Sequence, residues 1–257
     1  MNKVLIIRTH GGLGNQLFQI FYAILHKNRS EPTRLVVIHD SNYKHKFELD
    51  TNLKIAYSSK PGLIASFLSA IRIPKILTKI FKKDLRYIRL FNHYFFDDYF
   101  QNPDIYKDFS NKEIIEALAE INKYLFPNLK NFEKQDNLYH FRLLDFFKSE
   151  NEEIDYVKKK LLDLPKDCSI ITNNDKIFQN KKIRKYLQNK KINHINSSNF
   201  SAIDVLSCIM QFKVIHSNNS TLAFWAATLN NSLLEVDNKN LKKLYSIFID
   251  SFDEKNK

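Results

Sequence analysis

Three short polar or glycine-rich segments each follow a predicted strand, and they carry most of the groups in this chain that are suited to chemistry. They are residues 10–16, 140–145 and 216–221. In open parallel sheets, ligands bind at the carboxyl ends of strands, where loops of this kind lead into helices. Hydroxyls and helix N-termini attract anions, and an arginine fork matches two phosphate oxygens. The pattern therefore indicates a site for a phosphorylated ligand.

The first segment contains three of the chain's 4 glycines, Gly11, Gly12 and Gly14. Glycines let a backbone approach a ligand closely, and the helix that follows presents unpaired N–H groups. The loop resembles the start of a dinucleotide-binding fingerprint, but Leu17 stands where that motif needs its third glycine. Asp40 ends the next strand, as a ribose-binding acid would. A nicotinamide-dependent oxidoreductase is therefore one alternative.

The second and third segments offer groups for a diphosphate. His140 and Arg142 lie on the same face of a predicted strand end. Arg142 either forks onto a diphosphate or pairs with Asp145 at the surface. The third segment either binds an anion or only caps its helix. Its candidate residues are Ser217, Asn218, Ser220 and Thr221.

No metal site is predicted. The sequence has no D-x-D pair, no His/Cys cluster with zinc spacing, no phosphate-binding G-x-x-x-x-G-K-[ST] loop and no G-x-S-x-G elbow. Neutralisation of a diphosphate would therefore depend on Arg142, helix termini and hydroxyls. Asp175, which follows the predicted strand at residues 169–172, either accepts hydrogen bonds from a base or ribose or simply forms a turn.

Strand and helix patterns alternate along the chain. Residues 4–38 give strand, glycine loop, helix and strand, which is a βαβ unit and implies a parallel sheet. From residue 138 onward, four β-α alternations follow within about 100 residues, which argues for a second doubly wound sheet. The predicted fold class is α/β, with two Rossmann-like domains at residues 1–135 and 136–257.

The charge is strongly basic, with 40 Lys+Arg against 28 Asp+Glu, a net charge of +12. The segment from Lys60 to Arg89 carries much of the surplus. It is either a basic amphipathic surface for an anionic membrane or an ordinary surface helix pair. A non-catalytic protein that binds membrane or nucleic acid is a further alternative. A nucleic-acid binder, however, would spread its basic residues along the chain, so no nucleic-acid partner is predicted.

The two cysteines, Cys168 and Cys208, suit a reducing compartment. The four-residue apolar run near the N-terminus (Val4 to Ile7) is too short for a secretory signal, and no apolar run is long enough to span a bilayer. We therefore expect a cytoplasmic protein, with peripheral contact at the inner membrane face if the basic segment binds lipid.

Taken in order, five blocks of the sequence resemble the α-1,2-fucosyltransferases of glycosyltransferase family 11. The first and last blocks are specific, whereas the middle three are weak individually. The blocks are GGLGNQLFQ (residues 11–19), DYFQNPDIY (98–106), HFRLLD (140–145), TNND (172–175) and SNNSTLAFWAA (217–227).

The resemblance implies a GT-B architecture, with an acceptor-side first domain and a second domain that binds GDP-fucose across a cleft. It also implies an inverting, metal-independent transfer to a glycan hydroxyl, galactose O2, in bacterial surface polysaccharide synthesis. The acceptor is free or lipid-linked, and no cofactor is needed besides the donor GDP-fucose.

Residue roles follow from the same resemblance. Arg142 would hold the β-phosphate, Ser220 and Thr221 would cap the diphosphate, and Asp175 would contact the nucleoside. The remaining implied roles are His140 lining the donor pocket and Asn15 facing the sugar.

The sequence departs from the family pattern at three positions. Leu143 replaces a second arginine, and Ala223 and Phe224 change the last block. These departures leave a transferase for another nucleotide-linked sugar as an alternative. The general base has three candidates, Asp145, Asp97 and Asp98.

Overall fold

The chain divides into two compact units. The computed structural model describes residues 3–29, 33–39, 87–90, 93–125, 135–143, 147–166 and 168–253. The first unit comprises Met1–Leu129 together with Ser246–Lys257, and the second comprises Lys130–Tyr245.

The first unit is built on a four-stranded sheet in the order β2-β1-β4-β3. Its strands are β1 (Lys3–Thr9), β2 (Thr33–His39), β3 (Tyr87–Leu90) and β4 (His93–Phe96). β1 runs parallel to both β2 and β4, whereas β3 is antiparallel to β4. The carboxyl ends of β1 and β4 therefore lie side by side, which brings the loop after β4 to the glycine loop after β1.

In the described part of this unit, two helices and one short turn accompany the sheet. They are α1 (Leu13–Arg29), a 3₁₀ turn (Pro103–Tyr106) and α2 (Asn111–Leu125). The ring of Tyr22 in α1 stacks on Phe100 at 4.3 Å between centroids. At the end of α1, Lys27 pairs with Glu120 of α2. α1 is thus fixed by aromatic packing along one side and by an ion pair to its neighbour.

The second unit has a five-stranded, wholly parallel sheet in the order β7-β6-β5-β8-β9. The strands are β5 (Gln135–Phe141), β6 (Ser169–Thr172), β7 (Asn193–His194), β8 (Phe212–Ser217) and β9 (Leu233–Val236). The connections run outward from β5 to β7 on one side and then return to β8 and β9 on the other. The strand order therefore reverses between β5 and β8, which is where such sheets bind ligands.

The helices of the second unit follow its strands in alternation. They are α3 (Glu150–Asp163), α4 (Lys181–Lys190), α5 (Ala202–Ile209), α6 (Thr221–Leu229) and α7 (Lys239–Asp253). The last of these helices begins in the second unit and ends in the first, to which its residues from Ser246 onward belong. Ser201 caps α5 in a reciprocal capping box with Asp204, as the sequence predicts. A 3₁₀ turn (Asp175–Gln179) precedes α4, and Asn180 is the N-cap of that helix.

These two sheets confirm the predicted fold class, α/β with two Rossmann-like units. The C-terminal segment, however, departs from the predicted boundary at residues 135/136, since Ser246–Lys257 belongs to the first unit. Phe248 of this segment packs against Phe21 and Tyr106 at ring-centroid distances of 5.0 and 5.3 Å. The amphipathic pattern of α7 carries no information about which apolar core the end of that helix joins.

Several sequence predictions fall outside the described residues. Asp40, Asp145 and most of the segment from Lys60 to Arg89 are among them, so these predictions stay as they were made. Among the helices that are described, none has the length and apolar character needed to cross a membrane.

Candidate functional site

Arg142 lies at the point where the strand order of the second unit reverses. This residue follows the last residue of the central strand β5 and is half-buried. Its neighbours in sequence, Phe141 and Leu143, are fully buried in the cluster packed against α3. Because successive side chains of an extended segment alternate, Arg142 and His140 belong to the opposite face.

Two asparagine side chains hold the backbone at Arg142, and we call them the amide clamp. Asn218, after β8, accepts a hydrogen bond from the Arg142 N–H through Oδ1 (3.0 Å) and donates one to the Arg142 carbonyl through Nδ2 (2.7 Å). Asn173, after β6, accepts a hydrogen bond from the Leu143 N–H at 2.8 Å. The strand end that carries the arginine is thereby fixed from both neighbouring strands.

His140 is buried beside Arg142. The Ser217 hydroxyl donates to the His140 carbonyl at 3.2 Å, and Ser217 itself is buried. Burial, and secondarily the Arg142 charge, lowers the pKa of the imidazole from 6.5 to about 3. In the part of the chain that the structure describes, the ring Nδ1 has no hydrogen-bond partner. His140 is therefore neutral at physiological pH and contributes no charge to an anion site.

The buried histidines predict a loss of stability in mild acid. Below pH 6.5 the unfolded chain protonates His140, whereas the folded chain does so only near pH 3. Unfolding thus takes up a proton in this window, and the free energy of unfolding should fall by up to about 1.4 kcal/mol per pH unit as pH decreases. In chemical denaturation between pH 7 and 4, His140→Gln should flatten this slope.

His26 supplies an independent comparison in the first unit. Its pKa is lowered to about 4, chiefly by burial. His26→Gln should flatten the slope only above about pH 4. Slopes identical to that of the wild-type protein in both variants would contradict the assigned pKa directions.

The start of α6 lies at the same sheet edge. Ser220 is its N-cap, and its hydroxyl accepts a hydrogen bond from the Ala223 N–H at 3.2 Å. Ala223, Phe224 and Trp225 are completely buried. The departures from the family pattern at positions 223 and 224 are thus accommodated in the apolar core. Thr221, also buried, is the first helical residue.

The predicted donor-binding residues occur together, but several of them bind the protein itself. Asn218 and Ser217 bind the backbone of β5, as described above. Asp175 lies at the carboxyl end of β6 with both oxygens engaged. His194 Nε2 lies 2.8 Å from its Oδ1, and Ser197 donates to its Oδ2 through both N–H (3.1 Å) and hydroxyl (3.3 Å). These contacts give Asp175 a structural task.

In the first unit, the glycine loop is organised by side chains of α1. Gly11 has φ +82°, and a Cβ there would lie 2.7 Å from Asn15 Nδ2. Gln16 donates to the Gly11 carbonyl at 2.8 Å. A Cβ on Gly12, by contrast, would meet no heavy atom within 4 Å. The conformation of the loop thus requires glycine at position 11, whereas Gly12 borders open space. The third glycine, Gly14, is buried in the first turn of α1.

The loop after β4 completes this edge of the first unit. Gln101 donates to Asn15 Oδ1 at 2.9 Å, and the rings of Tyr99 and His10 lie 4.5 Å apart. Of the candidate bases, Asp97 is buried, and Asp98 accepts a hydrogen bond from the adjacent Tyr99 N–H at 2.7 Å.

Sequence reasoning missed three residues that belong to these edges, Asn173, Gln101 and Glu153. Asn173 and Gln101 lie inside the blocks TNND and DYFQNPDIY, but no function is predicted for either residue from the sequence. Glu153 lies in the first helical turn after the HFRLLD block, and its buried carboxylate accepts a hydrogen bond from Asn174 at 2.7 Å. Across the described ranges, no group of three or more His, Cys, Asp or Glu residues is arranged to hold a metal ion.

No protein-family model matches this chain, and no curated protein matches it. Solved structures align with it at low similarity. The NodZ α-1,6-fucosyltransferase co-crystallised with GDP shares 12% identity over 89% of this chain and 93% of that chain, with a TM-score of 0.43. The E. coli heptosyltransferase WaaC with ADP-2-deoxy-2-fluoro heptose shares 10% identity over 100% of both chains, with a TM-score of 0.44.

A third structure, the S. aureus MnaA–UDP complex, shares 12% identity over 100% of this chain and 89% of that chain, with a TM-score of 0.40. At these identities and TM-scores, the alignments add nothing to the fold that the strand order already defines.

Proposed function

We propose that this chain is a glycosyltransferase that moves L-fucose from GDP-fucose to a glycan hydroxyl, galactose O2. The supporting observation is Arg142, clamped by Asn218 and Asn173 at the point where the strand order of a parallel sheet reverses. An arginine held there, beside the N-terminus of α6, is suited to a ligand diphosphate.

The chemistry follows from the leaving group. As the bond between the sugar and the diphosphate breaks, negative charge grows on the phosphate oxygens. Arg142 and the partial positive charge at the start of α6 stabilise that charge without a divalent cation. One oriented donor of this kind contributes about two to three orders of magnitude in rate. Catalysis on this proposal is chiefly electrostatic stabilisation of the departing GDP.

The acceptor hydroxyl must lose a proton to a base. We assign this role to Asp145, three residues after Arg142 in sequence. Asn15, at the glycine loop of the first unit, is proposed to contact the transferring sugar. Its side chain is already oriented by Gln101.

The experiment is sugar transfer, or slow donor hydrolysis, by the purified protein with a panel of GDP- and UDP-sugars, with and without EDTA. We expect turnover with GDP-fucose that EDTA leaves unchanged. Turnover with a different nucleotide sugar would support the alternative donor that Leu143 raises. Stabilisation by NAD in a parallel thermal-shift panel, without transfer from any sugar donor, would overturn the proposal, as would complete loss of activity in EDTA.

A further inference from the structure

A cavity of about 340 Å³ opens at the carboxyl edge of the second sheet, between the start of α3 and the turn after β6. Phe147 and Ile177 give it apolar surface, and Glu153, Asn174 and Lys176 give it polar groups. The volume is adequate for a nucleobase. The combination of apolar faces with a few convergent polar groups is typical of small-ligand sites.

Glu153 is the unusual member of this lining. The residue is only 6% exposed, yet a carboxylate offers about four hydrogen-bond acceptor positions. Oε2 accepts one hydrogen bond, from Asn174 Nδ2 at 2.7 Å. No other described residue donates a hydrogen bond to this carboxylate. Its remaining acceptor positions are therefore available to hydrogen-bond donors of a ligand in the cavity.

The cavity and Arg142 lie at the same carboxyl edge of the sheet. Asn173, which holds Leu143 in the amide clamp, immediately precedes Asn174 of the cavity lining. The two sites thus follow the neighbouring strands β5 and β6, which lie about 4.8 Å apart in such a sheet. Asp175, predicted from sequence to contact the nucleoside, has its two carboxylate oxygens in contact with His194 and Ser197, and it does not line this cavity.

We propose that this cavity takes the guanine base of the donor nucleotide, with Glu153 as the acceptor that selects it. This inference rests on the proposed function. The Watson–Crick edge of guanine presents two adjacent donors, N1–H and the N2 amino group, which suit Oε1 and the remaining lone pair of Oε2. Adenine presents one donor beside an acceptor, and uracil presents one donor between two carbonyl oxygens that a carboxylate repels.

Titration calorimetry of the whole chain with GDP, IDP, ADP and UDP tests the assignment. IDP keeps the N1–H of GDP but lacks its N2 amino group. For the wild-type protein we expect binding of GDP at least about tenfold tighter than of IDP, and weaker binding of ADP and UDP. Glu153→Gln should weaken GDP binding about tenfold or more, because the amide keeps one acceptor oxygen and presents its NH2 group, a donor, to the donors of guanine. It should not weaken UDP binding, since the change removes the carboxylate charge that repels the carbonyl oxygens of uracil.

Asp155→Asn is the matched control, since it removes one negative charge from the same helix at an exposed position that does not line the cavity. It should preserve the GDP-to-UDP ratio. A wild-type protein that binds GDP and IDP equally, or a Glu153→Gln variant with wild-type ratios, would overturn the guanine site while leaving nucleotide-sugar transfer standing. If the variant fails to fold, the wild-type GDP-to-IDP ratio alone decides. Absence of binding by every nucleotide in the wild-type protein would overturn this inference and the proposed function together.

Discussion

Arg142→Ala is expected to lower kcat/KM for sugar transfer by about a hundred- to a thousandfold, because it removes an oriented charge from the departing diphosphate. The fold should persist, since Arg142 is half-buried and the amide clamp binds its backbone rather than its side chain. Arg142→Lys retains a positive charge but loses the planar fork, so its activity should lie between those of wild type and alanine. Steady-state kinetics with GDP-fucose and circular dichroism measure the two effects.

Arg184→Ala is the matched control, because Arg184 lies exposed on α4 of the same unit. Its kinetics should equal those of the wild-type protein. If Arg142→Ala retains full turnover, Arg142 has no place in the site and the proposed mechanism fails.

A variant of the amide clamp tests whether Asn218 acts by positioning Arg142. Asn218→Ala should lower kcat/KM in the wild-type background but cause little further loss in the Arg142→Ala background, since it acts only through the arginine. A purely structural role for Asn218 would give equal losses in both backgrounds.

Gly11→Ala is expected to destabilise the protein by about 2–3 kcal/mol. The backbone at Gly11 has φ +82°, where a side chain is strained, and the new Cβ would press on Asn15 Nδ2 at 2.7 Å. Gly12→Ala, one residue along, should change the free energy of unfolding by less than about 0.5 kcal/mol, because its Cβ would meet nothing within 4 Å. Urea denaturation followed by fluorescence measures both values.

For enzymatic turnover, unlike stability, we expect a clear effect of the substitution at Gly12. Gly12→Ala should remain folded and lose turnover, because its Cβ would occupy the open space through which a ligand approaches the loop. Full activity in Gly12→Ala would show that no ligand approaches the backbone at this position. Equal stability of the two alanine variants would contradict the conformation assigned to Gly11.

The sequence by itself determined the fold class and several of the elements. The strand Ser169–Thr172 has the predicted bounds. The capping box at Ser201 and Asp204 was also predictable. Each of these features depends on neighbours within a few residues, through alternation, helical spacing or a local cap, so a linear pattern contains the necessary information.

Only the tertiary structure decided which of these residues meet. Asn218 binds Arg142 across 76 positions of sequence, and Glu153 meets Asn174 across 21. Asp175 is likewise held by Ser197, 22 positions away. Such pairs exist because β5 lies between β6 and β8, and the order of strands in a sheet is set by how their helices cover its two faces. No local sequence pattern specifies that order. The polar residues could therefore be predicted as candidates, whereas the contacts that each one makes depend on the folded sheet.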